Sequence, residues 1–499
     1  MKVTRVFRSA PLGETHSSPL FPQRYGSFHT LALGILLTLT TSAAVEAQTL
    51  TLLSAVSRKG HGSAGTFDIP LSLGQTTNAT VEPRSGGPTT LLFTFSEDIS
   101  TVDGTLGSTN FAVANATYSN AVIASNTLTL NLASVSDGSQ VMVFLHGITD
   151  LANNGFTGTN YVAIRALYGD VNRNGQVNIG DMQVVKYWSG QPLSAANFLC
   201  DINLNGNINI GDMQVVKYNL SHTINYVPVV MTLALDHSGS MYGNGGSARL
   251  PAAVSSFISF FDDNRDQVAQ VSFASTTNVN VSMRQPFKSD IATAVNSLTF
   301  GGSTYADGGL RLAQIQNQSV SILTGQNVVK AVVFFTDGLP NTIQDTWPIN
   351  KTYNVGGTDS GNSYAIFSPS TGLQLPNSST MYTGPRPAYC TTMTNFVSID
   401  GSTQTVGAAS FRAEARLRTI AAANSLRSKT NVIYCVGLGG SYLNTSLLQI
   451  IANDPALLLD ADLASYFNPD QPAGEVVIAA TATNLSHALQ VIVARILSQ

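Results

Sequence analysis

Charge is scarce in this sequence of 499 residues: Asp, Glu, Lys and Arg together make up only 11% of it, less than half the share of about 25% usual in soluble proteins. Lys and Arg number 25 against 29 Asp and Glu. Without a basic excess the chain is not built to coat nucleic acid, whose binders cluster cations against phosphate. Cysteine is almost absent, at three residues, which excludes a disulfide-dense scaffold. Beyond the N-terminal region no apolar run reaches the roughly 20 residues that span a bilayer. The hydrophobic share of 43% in turn excludes wholesale disorder. Ser, Thr, Asn and Gly stand where charge is missing, as in a secreted protein with β-rich parts. At roughly 150 residues per domain, the length suggests about three domains.

The N-terminus carries Lys2, Arg5, Arg8 and Arg24, then an apolar stretch over 31–45 (LALGILLTLTTSAAV) that closes on Val45-Glu46-Ala47. A basic lead, a short apolar core and small residues at the cleavage positions define a secretory signal peptide. We therefore expect a signal peptide over 1–47, a mature chain from about Gln48, and a secreted or cell-surface location. An uncleaved anchor is the alternative. The apolar tail around 488–497 is short and interrupted by Arg495.

Residues 50–165 alternate apolar and polar side chains in 90–96 (TLLFTFS), 127–132 (TLTLNL) and 140–145 (QVMVFL), with Gly, Asn, Asp and Ser clusters between. That pattern predicts a small antiparallel sandwich. The segment Gly147-Ile148-Thr149-Asp150-Leu151-Ala152-Asn153-Asn154 resembles the last hairpin of bacterial Ig-like domains, although Ala152 and Asn153 depart from its G-x-x-D-x-x-G-N turn. His61 and His146 are isolated and read as structural or solvated.

Residues 167–222 hold an internal repeat. GDVNRNGQVNIGDMQVVKY (169–187) returns as CDINLNGNINIGDMQVVKY (200–218). Each copy sets oxygen-bearing side chains at loop positions one, three, five and twelve, with Gly at six: Asp170, Asn172, Asn174, Gly175 and Asp181, then Asp201, Asn203, Asn205, Gly206 and Asp212. Ca²⁺ takes six to eight oxygens, and short side chains at alternate positions wrap them around one point. This is the EF-hand loop pattern with Asp at its last position. The carbonyls of Gln176 and Asn207 are expected at position seven, and Asn178 and Asn209 at position nine act directly or through water. Each loop opens a helix (MQVVKY) whose apolar positions suit packing against the other copy.

The tandem resembles the type I dockerin module, a pair of loop-helix units that binds two Ca²⁺. Asn at position five leaves two carboxylates per loop, so weaker binding than that of a typical member is expected. The resemblance implies a cohesin-like partner. However, positions ten and eleven are Ile179-Gly180 and Ile210-Gly211 rather than the Ser-Thr often found there. The alternative is an intramolecular role, with these isoleucines packed on the Ig-like domain.

Residues 227–499 alternate apolar strands with amphipathic helices, the pattern of a doubly wound α/β domain. An apolar strand over 227–235 ends in Asp236-His237-Ser238-Gly239-Ser240, and a second over 328–335 ends in Thr336-Asp337-Gly338. Between them Gly301-Gly302-Ser303-Thr304 precedes a helix. Together these pieces resemble the von Willebrand factor A (VWA) domain and its metal-ion-dependent adhesion site, D-x-S-x-S, Thr, then T-D-G. The resemblance implies a Rossmann-like fold with Asp236, Ser238, Ser240, Thr304 and Asp337 around one Mg²⁺ or Mn²⁺. An open coordination position would accept an acidic group from a protein or surface ligand. His237 reads as incidental. Helices are expected at 250–261 and 486–497, and further strands at 267–273, 279–283 and 431–437. A long insertion is expected at about 339–411, beside or over the metal face.

Three cysteines leave at least one unpaired. Both a Cys390–Cys435 bridge and a buried free Cys435 stay open, with Cys200 ahead of the second loop. The leading reading is a secreted bacterial metal-dependent adhesion protein without catalytic activity, nucleic-acid partner or small-molecule substrate. Two others are a structural part of a surface appendage or pilus assembly, and a non-catalytic accessory factor in dockerin-linked polysaccharide degradation. No catalytic domain is left over, and Glu414 and Glu475 read as isolated surface acids.

Overall fold

The computed structural model describes residues 49–321, 326–349, 351–360, 363–367, 395–439 and 443–499. The expected signal peptide and Cys390 lie outside the described residues. The chain divides into two units, Met1–Gln48 and Thr49–Gln499, and the second is described below.

Its N-terminal part consists of two main sheets around one core. Five strands, Thr66–Pro70, Leu52–Gly60, Thr90–Phe95, Thr127–Ala133 and Thr117–Ala124, lie in that spatial order. Four more, Thr80–Glu82, Tyr161–Ala166, Ser139–Leu145 and Phe111–Ala114, form the second sheet. Successive side chains of a strand point to opposite faces, so the alternation in Thr90–Phe95 buries Leu91, Phe93 and Phe95 and leaves the threonines at the edge of the core. Leu128, Leu130 and Leu132 do the same one strand over, opposite Val141, Val143 and Val162 of the second sheet.

Ser139–Leu145 departs from simple alternation. Val141, Val143 and Leu145 face the sandwich core, while Met142 and Phe144 are also fully buried, in a different cluster. The reason is that this outer face is covered by the C-terminal domain. Phe144 and Tyr161 meet Phe260 with ring centroids 5.1 and 5.0 Å away. Leu489, Ile492 and Ile496 from the helix Leu485–Leu497 join the same cluster. At the rim Asn160 and Gln490 exchange hydrogen bonds of 2.9 and 3.2 Å, and Asn115 donates to the Leu497 carbonyl at 3.1 Å. His146 is buried here, its ring stacked 3.5 Å from that of His487. Burying a side chain the size of Phe or Met stabilises by roughly 1.5–3 kcal/mol, so this shared face holds the two domains as one body.

The C-terminal domain is built on a six-stranded sheet in the order Thr277–Arg284, Gln267–Phe273, Val229–Asp236, Val329–Thr336, Val432–Leu438 and Val476–Ala479. All neighbours pair in parallel except the antiparallel edge strand Thr277–Arg284. Helices Gly246–Ser259, Lys288–Asn296 and Leu485–Leu497 cover one face. Helices Ala306–Gln318, Ala408–Arg427 and Thr445–Ala452 cover the other. Covered on both sides, Val229–Asp236 is buried at every residue, as its unbroken apolar run requires. The chain leaves this strand for Gln267–Phe273 on one side and later reaches Val329–Thr336 on the other. The carboxyl ends of Val229–Asp236 and Val329–Thr336 therefore form a topological switch point, where open α/β sheets bind ligands.

Some elements differ from expectation. A short helix, Gly239–Gly243, precedes the first long one, which begins at Gly246 rather than 250. Within the expected insertion, Thr342–Ile349, Lys351–Ser360 and Ser363–Phe367 pair as an antiparallel sheet, and the helix from Ala408 starts inside it. Glu414 is not a surface acid: it is buried, accepting from Arg418 Nε at 2.6 Å and from the Ile399 amide at 2.8 Å. The Arg418 guanidinium also pairs with Asp345 at 2.7 Å. Glu475 pairs with Arg495 at 2.5 Å. Cys200 and Cys435 are buried free thiols, and burial pushes both up from the usual thiol range. No helix among the described residues is long and apolar enough to cross a membrane.

Close packing places the helix Ala306–Gln318. A Cβ added at Gly309 would sit 2.5 Å from the Phe273 ring. Gly309→Ala must displace helix or ring, and overpacking of this kind costs about 1–3 kcal/mol. A lower denaturant midpoint with an unchanged slope is the expected result.

Candidate functional site

Asp236 closes its strand and is fully buried. Its Oδ1 accepts the Ser238 amide at 2.8 Å, a local turn that swings the chain back over the strand end. Ser238 thereby reaches Ser240, the two Oγ atoms 3.1 Å apart. Ser240 Oγ donates to Asp337 Oδ1 at 2.7 Å, so Ser238 is the donor within the serine pair. Asp337 follows the strand Val329–Thr336 and is fully buried. The third loop is tied in by backbone bonds: Gly239 N donates to Gly302 O at 3.0 Å and Gly301 N to His237 O at 2.9 Å. Thr304 is 4% exposed, its amide held by Asn341 Oδ1 at 2.7 Å.

Four of the five expected residues thus form one hydrogen-bonded chain, and Thr304 lies on a loop bonded to it. Sequence reading passed over two further participants. Thr336 Oγ1 donates to Asp236 Oδ2 at 2.6 Å, and Asn244 Nδ2 to Asp337 Oδ2 at 2.8 Å. Thr336 was visible within T-D-G, whereas nothing in the sequence marked Asn244. His237 Nδ1 bonds the Thr299 carbonyl at 2.8 Å, away from the carboxylates. Asp307, early in the helix after Thr304, is a third buried carboxylate, with Arg311 Nη2 at 3.2 Å.

Burial pushes Asp236 up to about 7, and the negative charge of Asp337 adds to the effect. Burial also raises Asp337. Two carboxylates forced together out of water require a counter-charge. The donor set of two carboxylates with Ser and Thr hydroxyls contains only oxygen, which suits a hard divalent cation that keeps some of its waters. Among the described residues no group of three or more His, Cys, Asp or Glu could hold a metal, so any cation here depends on the hydroxyls as well.

The repeat folds into two loops with matching aspartate–amide hydrogen bonds. In the first, Asp170 Oδ1 and Oδ2 accept the amides of Asn174 and Gly175 at 3.0 and 2.7 Å. Asp181 Oδ1 and Oδ2 accept those of Asn172 and Asn178 at 3.0 and 2.9 Å. In the second, Asp201 holds Asn205 and Gly206 at 3.1 and 2.9 Å, and Asp212 holds Asn203 and Asn209 at 3.2 and 3.0 Å. Gly175 and Gly206 both sit at φ 88°, the left-handed turn that favours Gly. Asn178 and Asn209 cap the helices Ile179–Trp188 and Ile210–Tyr218, their Oδ1 atoms accepting from Gly180 and Gly211 at 2.7 Å. Val185 and Val216 of the two helices meet in one core.

All four loop aspartates are fully buried. Burial pushes Asp170 up to about 6, with the facing Asp181 adding to it. Asp212 is raised by burial and by Asp201. Two buried carboxylates among amide and carbonyl oxygens fit Ca²⁺. Ile179 and Ile210 are 61% and 64% exposed, so the alternative in which they pack on the β-domain is not realised. Their place at the first turn of each helix points them outward.

Two segments of the chain match known families. Residues 231–356 match the von Willebrand factor type A domain, and residues 168–221 match the Dockerin type I domain. The chain carries both kinds of segment. No curated protein matches it. Similar solved structures include the pilus adhesin SpaC from Lactobacillus rhamnosus GG, at 17% identity and TM-score 0.34 over 55% of this chain and 31% of that one. The vWF domain of the type V pili tip protein Mfa5 from Porphyromonas gingivalis is 17% identical, at TM-score 0.31 over 54% of this chain and 95% of that one. The PilB minor pilin from Streptococcus sanguinis is 11% identical, at TM-score 0.35 over 81% of this chain and 88% of that one. The chain spans about a third of the length of SpaC, at 31%. A dockerin type I segment implies calcium binding, and a von Willebrand factor type A segment implies a divalent cation and a protein ligand.

Thr336→Val keeps the shape of the side chain and removes the donor to Asp236. Losing such an outer partner typically costs 10–100-fold in metal affinity. Mn²⁺ titration calorimetry should show a loss of about tenfold or more; an unchanged affinity would reduce Thr336 to packing.

Proposed function

We propose that this is a secreted bacterial adhesion protein that captures a protein or surface ligand through a divalent cation. Asp236, Ser238, Ser240, Thr304 and Asp337 would hold one Mg²⁺ or Mn²⁺ at the switch point. When bound, the ion supplies an electrophilic position for a carboxylate of the ligand. The protein's own part is to fix the donors. Asp236 and Asp337 are held by Thr336 and Asn244, and the serine pair joins the two strand ends. The observation that carries the reading is this chain of buried oxygens at the carboxyl ends of two adjacent parallel strands.

The rest of the molecule serves that face. Residues 1–47 act as a signal peptide, 50–165 as an Ig-like sandwich, 167–222 as an EF-hand-like dockerin pair with two Ca²⁺, and 227–499 as the VWA domain. Asp170, Asn172, Asn174, Gln176, Asn178 and Asp181 supply the first Ca²⁺ loop. Asp201, Asn203, Asn205, Asn207, Asn209 and Asp212 supply the second. Asn178 and Asn209, whose Oδ1 atoms also cap the helices, act at position nine directly or through water. The outward-facing Ile179 and Ile210 leave a surface for a cohesin-like partner.

The test is a pull-down from the producer's surface and secreted fraction with wild type, Asp236→Ala and a chelated control. Capture by wild type in Mg²⁺ alone supports the reading. Equal capture by all three overturns it. Capture of nothing but the protein itself moves the function to assembly of a surface appendage.

A further inference from the structure

We propose that the two near-identical calcium loops are unequal: the second is completed by His61 of the β-domain, so that its ion also fastens the module to that domain, whereas the first works alone. The proposal rests on the calcium reading of both loops. The amide bonds to their aspartates match pair by pair, and the difference argued here lies in what surrounds them.

That difference falls on one carboxylate. Asp201 Oδ2 accepts a third bond, from His61 Nδ1 at 2.9 Å, with both side chains fully buried. His61 follows the strand Leu52–Gly60, 140 residues away in the chain. Its other ring nitrogen, Nε2, lies 3.3 Å from Arg84 Nη1. A guanidinium only donates, so Nε2 accepts and Nδ1 carries the hydrogen given to Asp201. Arg84 is itself fully buried and fixed: Nε and Nη2 donate to Glu82 at 2.7 Å, Nη1 to the Phe67 carbonyl at 2.9 Å and Nη2 to the Ser57 carbonyl at 3.0 Å. A rigid polar chain thus runs from the sandwich into the first ligand of the second loop. No side chain among the described residues donates to Asp170 in the first.

The backbones agree. A Cβ added at Gly206 would stand 3.0 Å from the His61 carbonyl oxygen, and one at Gly62 would stand 2.7 Å from that of Asn205. Ser85 N donates to the Ile202 carbonyl at 2.9 Å, and Phe67 stacks on Phe198 at 5.1 Å. At the equivalent Gly175, the nearest atom to an added Cβ is the tip of Arg165, 3.9 Å away. Asn172 and Arg173 are exposed where Asn203 and Leu204 are half-buried.

His61 is therefore a positioning residue. It orients a first-position ligand and joins calcium affinity to docking. Outer partners of metal ligands are worth about 10–100-fold in affinity.

The experiment is calcium titration calorimetry on the full chain, with Asp170→Asn and Asp201→Asn to assign the sites. His61→Phe should weaken the site lost in Asp201→Asn by about tenfold or more. It should leave the other site unchanged, and that site doubles as a folding control. His61→Asn, which keeps a donor near the place of Nδ1, should recover most of the loss. Hydrogen exchange adds a second readout. Calcium should protect amides 60–64 in wild type and Asp170→Asn but not in Asp201→Asn. Two sites unaffected by His61→Phe, or both weakened alike, overturn the proposal. Equal loss of protection in both Asp variants does the same. If neither loop binds calcium, it is the calcium reading that fails.

Discussion

Chelating calcium is expected to lower the unfolding midpoint of the β-domain and repeat together by about 10–20 °C. The four loop aspartates are all fully buried. Each loop encloses two of them in a space lined with oxygen. Burial already holds Asp170 near 6 and raises Asp212. Without a cation these carboxylates cost stability at neutral pH, since deprotonation sets charge against charge inside the fold. An ion at a hundred times its dissociation constant contributes about 2.7 kcal/mol per site. Two sites contribute about 5 kcal/mol, and each kcal/mol shifts the midpoint of a domain of 150–250 residues by about 2–4 °C. Trp188, packed against the core of the repeat, makes the change visible in tryptophan emission. Asp170→Ala should reduce the calcium bound from two ions to one and remove part of the shift. An unmoved midpoint in EDTA would end the calcium reading.

Local features were the legible ones. Position-by-position spacing made both loops legible, because each is twelve consecutive residues whose backbone closes on its own aspartates. The strand ends at Asp236 and Thr336 were legible because an unbroken apolar run followed by D-x-S or T-D-G marks where a buried strand stops. What no pattern announced were contacts between distant segments. His61 looked isolated because its partner Asp201 is 140 residues on. Asn244 reaches Asp337 across 93 residues. The shared face at Phe144 and Phe260 left a trace in QVMVFL, where five apolar residues run together. Reading it as alternation missed that both faces of the strand were spoken for. Packing of Ile179 and Ile210 on the β-domain was one of two alternatives that hydrophobicity left open; the module instead turns its second loop to that domain, and a polar chain makes the contact.

The other large effect concerns pH at the switch point. In EDTA, stability should fall as pH rises from about 4 to about 7, and Mg²⁺ should reverse the loss. Asp236 titrates near 7 in the folded protein and near 3.9 in an unfolded chain. The folded state therefore binds its proton more tightly. Stability associated with that proton is fully present below about 4 and gone once pH exceeds about 7. Asp337 shifts in the same direction, so it adds to the slope. The cause is burial first and mutual repulsion second. A divalent cation answers both, but it must displace the protons, so its affinity should be weak at pH 5 and rise toward pH 8. At a hundred times its dissociation constant, Mg²⁺ should add about 2.7 kcal/mol to wild type at pH 8. Asp236→Asn separates the two effects. It keeps the shape and supplies a neutral oxygen, so in EDTA the part of the pH slope due to Asp236 should vanish, that of Asp170 and Asp212 should stay, and stability at pH 8 should rise. The same variant should gain nothing from Mg²⁺. Denaturant midpoints at pH 5 and 8, with and without Mg²⁺, make the comparison. A pH slope in Asp236→Asn equal to that of wild type would show that Asp236 is not the titrating group. A full Mg²⁺ response in the variant would place the cation elsewhere.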